Sequence, residues 1–130
     1  MPRKILLTVL ILSLIIELAL SCGIFFAKDM VSKQFGVAMN ADTEFLSFIV
    51  GWLCLFISLI LMYIIYLLWN KNPDFASLAY IMGYFWMAIG IAIYVAFKKP
   101  DNLVIDTFKG MLIVGLTMWY QRVTPPVRRR

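Results

Sequence analysis

Histidine is absent from the 130 residues. That removes histidine metal sites, haem ligation by histidine and any Ser-His-Asp triad. Cysteine occurs only as Cys22 and Cys54, too far apart for a Cys-x-x-Cys pair, so neither a disulfide framework nor a redox motif is expected. Charge is scarce at 15% of residues, against about 25% in soluble domains. Apolar side chains fill the space: 63% of the chain is hydrophobic and its mean hydropathy is +0.90. A soluble domain this small has too little interior to hide that much apolar surface. The surplus must meet lipid, and a single compact domain over residues 1–130 is expected.

The net charge of +5 does not point to nucleic acid. Lys and Arg lie at the ends of apolar runs, where they anchor to headgroups and set orientation. Arg128, Arg129 and Arg130 follow Pro125-Pro126 and read as an electrostatic anchor to anionic lipid, worth about 1 kcal/mol per charge near the surface.

A transmembrane helix needs about 20 mostly apolar residues. Four such runs lie at about 5–26, 45–69, 76–97 and 103–121. The fold class expected is therefore all-α, an integral membrane four-helix transmembrane bundle. Continuous apolar runs, rather than alternating ones, argue against a barrel. Asp42 and Thr43 are placed to cap the second span, and Asp74 the third. Lys98-Lys99-Pro100 stops the third. The fourth is the weakest, because Asp106 and Lys109 interrupt its first turns. The first run has the basic start of a signal peptide and a cleavage-like Ala19-Leu20-Ser21-Cys22, but Glu17 falls inside it and it continues through Gly23 to Phe26. It is expected to stay as a span.

Residues 27–43 are long enough for a short surface helix around Met30 to Phe35. Asn70 to Phe75 form a tight turn that makes the second and third spans antiparallel neighbours. One side of the membrane carries Arg3, Lys4, Lys71, Arg122 and Arg128 to Arg130. The other carries Lys28, Lys33, Lys98 and Lys99, with Lys109 just inside. The balance favours both termini in the cytoplasm.

Glu17 stands out. A charge at mid-span costs from about 3 to more than 10 kcal/mol, so this carboxyl must face the interior, pair with a cation or stay protonated. It is either a proton- or cation-handling acid, the polar contact of a ligand pocket, or a structural acid that fixes packing. Asp106 and Lys109 are three apart on one helix face and can pair. Lys109 can also snorkel outward. By helix rise it lies about 9 Å below the outer end of its span and Glu17 about 13–14 Å below that of its own, so its stem could reach the acid if the two helices are adjacent. Asp42 and Glu44 suit the positive end of a helix dipole.

Gly83 and Gly90, with Ala76 and Ala79, form a small-residue stripe on the third span, and Gly110 and Gly115 offer the same on the fourth. Trp69, Trp119 and Tyr120 read as an interfacial belt. Tyr84 and Trp86 carry polar handles within the third span; they line a pocket near Glu17, pack against methionines or face lipid.

The layout resembles the DoxX-like superfamily of small four-span membrane proteins over most of the chain. The resemblance rests on Phe35-Gly36-Val37 in the long loop, Gly51 in the second span, Asn72-Pro73-Asp74 in the tight turn, and Gly83 and Gly90 in the third span. It implies a four-helix bundle in a bacterial inner membrane. Founding members resemble subunits of a thiosulfate–quinone oxidoreductase, an activity for which no redox residues match here. Related sterol-isomerase-like bundles bind apolar ligands with intramembrane acids, which Glu17 fits. Small multidrug exporters share a glutamate in the first of four spans, and Trp86 to Ile91 looks like their third helix. Their first loop is shorter, and a lysine in the fourth span is not expected of them.

Three functions remain open. The first is a non-enzymatic bundle binding a lipid-like or apolar small molecule through Glu17, Tyr84, Trp86 and Lys109. The second is a proton-coupled exporter. The third is an accessory subunit of a larger membrane complex, or a homodimer, docked through the small-residue stripes. No nucleophile–base pair or metal cluster points to an enzyme, and no cofactor is expected.

Overall fold

The structure is a computed structural model that describes residues 1–36, 38–98 and 100–124. Val37, Lys99 and the Pro125-Pro126 to Arg130 tail, which the sequence reading used, lie outside the described residues. Helices account for nearly all of the rest: α1 (Pro2–Phe26), α2 (Lys28–Phe35), α3 (Ala41–Trp69), α4 (Phe75–Phe97) and α5 (Pro100–Val123). Four stretches are long and apolar enough to cross a membrane: Pro2–Phe26, Ala41–Trp69, Phe75–Ala96 and Leu103–Val123. Their outward side chains are apolar too, among them Leu12, Ile15 and Ile16 on α1 and Leu53, Phe56 and Leu59 on α3. By length and composition the chain is an all-α, multi-pass membrane protein.

The helix ends follow local chemistry. Proline occupies the first position of α1 and of α5, where its missing N–H is not needed. That lets α5 begin at Pro100, ahead of the expected 103. The start of α3 is capped by Asn40 rather than by Asp42 or Thr43. The Asn40 Oδ1 accepts from the Thr43 N–H at 2.9 Å, and the Thr43 Oγ1 accepts from the Asn40 N–H at 2.8 Å, a reciprocal box in which threonine replaces the usual glutamate.

At the other end of α3, Lys71 takes a left-handed φ of 56°. The Asn72 N–H donates to the Leu67 carbonyl at 2.9 Å and the Lys71 N–H to that of Leu68 at 3.2 Å, the two bonds of a Schellman ending. Asp74 precedes α4 but makes no side-chain capping bond. Asn72 supplies the turn contact instead, its Oδ1 accepting from the Asp74 N–H at 3.0 Å.

Packing divides the chain into two compact units, one of Met1–Leu10 with Ile64–Arg130, the other of Ile11–Tyr63. In the first, Leu6, Leu10, Ile64, Leu68, Ala79 and Ile113 are fully buried. The Arg3 Nη2 donates to the Trp69 carbonyl at 2.6 Å, placing a cation on the negative end of α3. Phe75 and Tyr120 meet edge to face at 5.3 Å. The tightest approach is between α4 and α5, where the Gly83 and Gly110 backbones touch. A Cβ at Gly110 would sit 2.7 Å from the Met87 Cγ and 2.9 Å from the Met87 N, as well as against the Gly83 carbonyl. In lipid such backbone approach supplies the association energy that hydrophobicity supplies in water.

Gly110→Ala should therefore destabilise the protein by about 1–3 kcal/mol through overpacking. Gly115→Ala, whose Cβ meets nothing within 4 Å, should be neutral or gain the usual helix-propensity increment of about 0.5–1 kcal/mol. Thermal unfolding in detergent compares the two.

Candidate functional site

The second unit contains the rest of α1, all of α2 and the first part of α3. Two contacts fix its register. The Ser21 Oγ donates to the Gly51 carbonyl at 3.0 Å, a buried bond. One turn further along α1, Phe25 meets Phe48 edge to face at 5.9 Å. As the α1 number rises the α3 number falls, so the helices are antiparallel. Counting inward from Ser21, Glu17 is level with Cys54, and Ser13 with Ser58.

Ser13, Glu17, Ser21 and Ser58 are all buried, Glu17 being 2% exposed. Four polar side chains on spans bury themselves rather than face lipid. The Ser58 Oγ donates to the Cys54 carbonyl of its own helix at 2.8 Å. Ser13, Glu17 and Cys54 each have an interaction partner. The serines were not singled out by sequence reasoning, although their four-residue spacing from Glu17 places them on its face. A polar seam therefore runs along the buried side of α1.

Beside this seam is an apolar groove of about 350 Å³, walled by Leu20 and Ile24 of α1, Val31 of α2, and Leu46, Val50 and Cys54 of α3. Its polar residues are Lys28, Ser32, Thr43 and Ser47, all towards the end where α1 and α2 meet and α3 begins. Cys54 is the deepest wall residue on α3, and Leu20 lies one turn above Glu17. A second, more polar cavity of about 550 Å³ adjoins it and shares Ile24, Lys28 and Ser47. Lys28 pairs with Glu44, tying the start of α2 to the first turn of α3. The carboxylate of Glu44, by hydrogen bond first and charge second, holds the Lys28 ammonium above the ordinary lysine value of 10.5. The sequence reading gave Glu44 a dipole role and missed this partner; the signal was two opposite charges at the two ends of one loop.

The other residues expected to bind ligand lie in the first unit. Lys109 sits 3.6 Å from Asp106 at its Nζ, as helix spacing predicts, with side chains only 11% and 13% exposed. The same Nζ lies 3.2 Å from the centroid of the Trp86 ring, a cation–π contact. Trp86 is buried and its Nε1 has no hydrogen-bond partner among the described residues. Tyr84 is not brought to them. Two residues on a helix point about 200° apart, and with Trp86 turned inward Tyr84 is 57% exposed, stacked on Tyr80 at 6.5 Å. The Tyr80 hydroxyl donates to the Gln121 Oε1 at 2.7 Å. Glu17 belongs to the other unit.

Comparison with known proteins finds no matching family model, no matching curated protein and no matching solved structure.

Two outcomes follow from these charges. Lys109→Met strands the Asp106 carboxylate in a mostly buried site and should cost about 3 kcal/mol. The double variant Asp106→Asn/Lys109→Met should cost less than that single one in a detergent unfolding series. A raised lysine pKa means that the Lys28–Glu44 tie is present at neutral pH and lost as pH rises through the folded-state value, above 10.5. Lys28→Gln should thus lower Tm slightly at pH 8 and low salt. Salt should shrink the difference, since both side chains are exposed.

Proposed function

We propose that the protein is a non-enzymatic membrane protein that binds a lipid-like molecule. The observation that carries this reading is the apolar groove of about 350 Å³ whose polar residues gather at one end. Binding sites of about 300–1,000 Å³ with mostly apolar walls and few polar groups suit drug- or lipid-sized ligands. Here the polar end belongs at headgroup level. At 1.5 Å per residue the 29-residue α3 is about 44 Å long, against a hydrocarbon core of about 30 Å, so its first turns stand among headgroups. The deep end is at Cys54, level with Glu17, though Glu17 is not itself among the groove's wall residues. The Lys and Arg distribution supports termini in the cytoplasm, and the DoxX-like layout supports a bacterial inner membrane.

Native mass spectrometry of the gently purified protein should show a retained lipid. Val50→Phe fills the groove and should reduce that species about tenfold, equivalent to roughly 1.4 kcal/mol. In a Cys22→Ser background, an apolar maleimide should label Cys54 faster after delipidation. An empty protein, with Cys54 labelling unaffected by lipid, would end the binding reading.

The burial of Glu17 also suits a second reading, a proton-coupled exporter in which this acid alternates between proton and cationic substrate. Glu17→Gln should then abolish proton-coupled flux in liposomes, whereas a binder would show no flux to abolish.

A further inference from the structure

The two adjoining cavities differ in chemistry, and the residues they share lie at their junction. The groove is nearly all apolar. The larger cavity is walled by Phe25, Phe26 and Phe48 and carries Lys28, Asp29 and Glu44. Lys28 faces both spaces. A molecule seated across the junction would put a hydrocarbon chain in the groove and its head among one cation, two carboxylates and aromatic rings.

The charges have an order. Among the described residues Lys28 is the one cation of both walls, and Asp29 and Glu44 make the larger cavity net negative. A purely anionic head would be repelled by that excess, and a purely cationic head would leave Lys28 facing it. A head bearing both signs satisfies each, the anion on Lys28 and the cation on Glu44 and Asp29. Such a head would take over both halves of the existing Lys28–Glu44 pair without leaving either charge unmatched.

The aromatics favour the cation on the carboxylate side. Phe25, Phe48 and Trp52 form a mutual edge-to-face cluster with centroids 5.8 to 6.3 Å apart, and ring faces attract ammonium groups.

We infer that the ligand is a zwitterionic phospholipid, with its chain in the groove, its phosphate at Lys28 and its ammonium at Glu44 between the phenylalanine walls. This rests on the lipid-binding reading above and names the lipid class.

The test is native mass spectrometry of the full chain in detergent, titrated separately with phosphatidylcholine, phosphatidylethanolamine and phosphatidylglycerol of matched acyl chains. The two zwitterionic lipids should be retained at least about fivefold better than phosphatidylglycerol. Glu44→Gln should erase the preference, weakening the zwitterionic lipids and easing the repulsion of phosphatidylglycerol. Phe48→Leu keeps the Ser21–Gly51 register bond and the charges, and should lower phosphatidylcholine retention roughly threefold, in line with a partly exposed cation–π contact. Phosphatidylglycerol retention should be unchanged in that variant. If Glu44→Gln does not fold, the wild-type preference and Phe48→Leu decide the matter. Equal retention of all three lipids, or preference for phosphatidylglycerol, overturns the headgroup assignment and leaves lipid binding standing. Retention of none of them overturns lipid binding itself.

Discussion

Hydrocarbon cannot hydrate a polar group, and the internal arrangement of this chain follows from that. A carboxyl at mid-span has to be hidden, and hiding one group fixes which face of its helix turns inward. Once Glu17 faces in, Leu10, Ser13 and Ser21 face in with it by helical spacing. Ser21 then finds the Gly51 carbonyl on α3. The seam that results is polar because the alternative for each of its members is lipid. It also ties α1 to α3, since a slip of one residue would take the Ser21 hydroxyl away from the Gly51 carbonyl.

The same constraint explains why the two ends of the spans differ from their middles. Charges that can reach the interface do so in pairs or on helix poles: Arg3 on the last carbonyl of α3, Lys28 on Glu44. Lys109 stays within its span, and it is surrounded by what a cation needs there, a carboxylate and an indole face. Close backbone contact at Gly83 and Gly110 brings α4 and α5 near enough for Trp86 to cover that lysine. Small residues at one level thus set up the polar contact at another.

The spans could be read from the sequence because hydropathy and length leave little choice. Turn chemistry was partly legible. Gly36 closes α2 in the left-handed region at φ 66°, and the short Asn70–Phe75 connection appears as read. The cap of α3 was misplaced because several capping residue types stand together, Asn40, Asp42 and Thr43. Which one serves depends on where the chain turns, and composition does not encode that. Side-chain partners were hardest to read. The Asp106–Lys109 pair is local and was visible. Lys28 with Glu44, and Lys109 with Trp86, join different helices, and their meeting depends on helix rotation that one sequence leaves open. The aromatic triplet Tyr84, Phe85 and Trp86 shows this directly: consecutive residues of similar chemistry point to different surroundings once the helix is placed.

The groove and the seam answer different needs, which explains why apolar space lies where α2 folds back. Deeper between α1 and α3 the buried Ser21–Gly51 bond holds the helices together, and space there would cost packing that lipid does not repay. α3 is longer than the hydrocarbon is thick, and near its start α2 lies across the exit of α1 with Val31 against Gly23. A short amphipathic helix so placed cannot pack as tightly as two long antiparallel ones, and apolar volume remains beneath it. Water there would face Leu20, Ile24, Leu46 and Val50 and is disfavoured on the same grounds that bury Glu17. An acyl chain is the filling that a bilayer offers in abundance, and under the lipid-binding proposal the paired charges at the mouth select the head it brings.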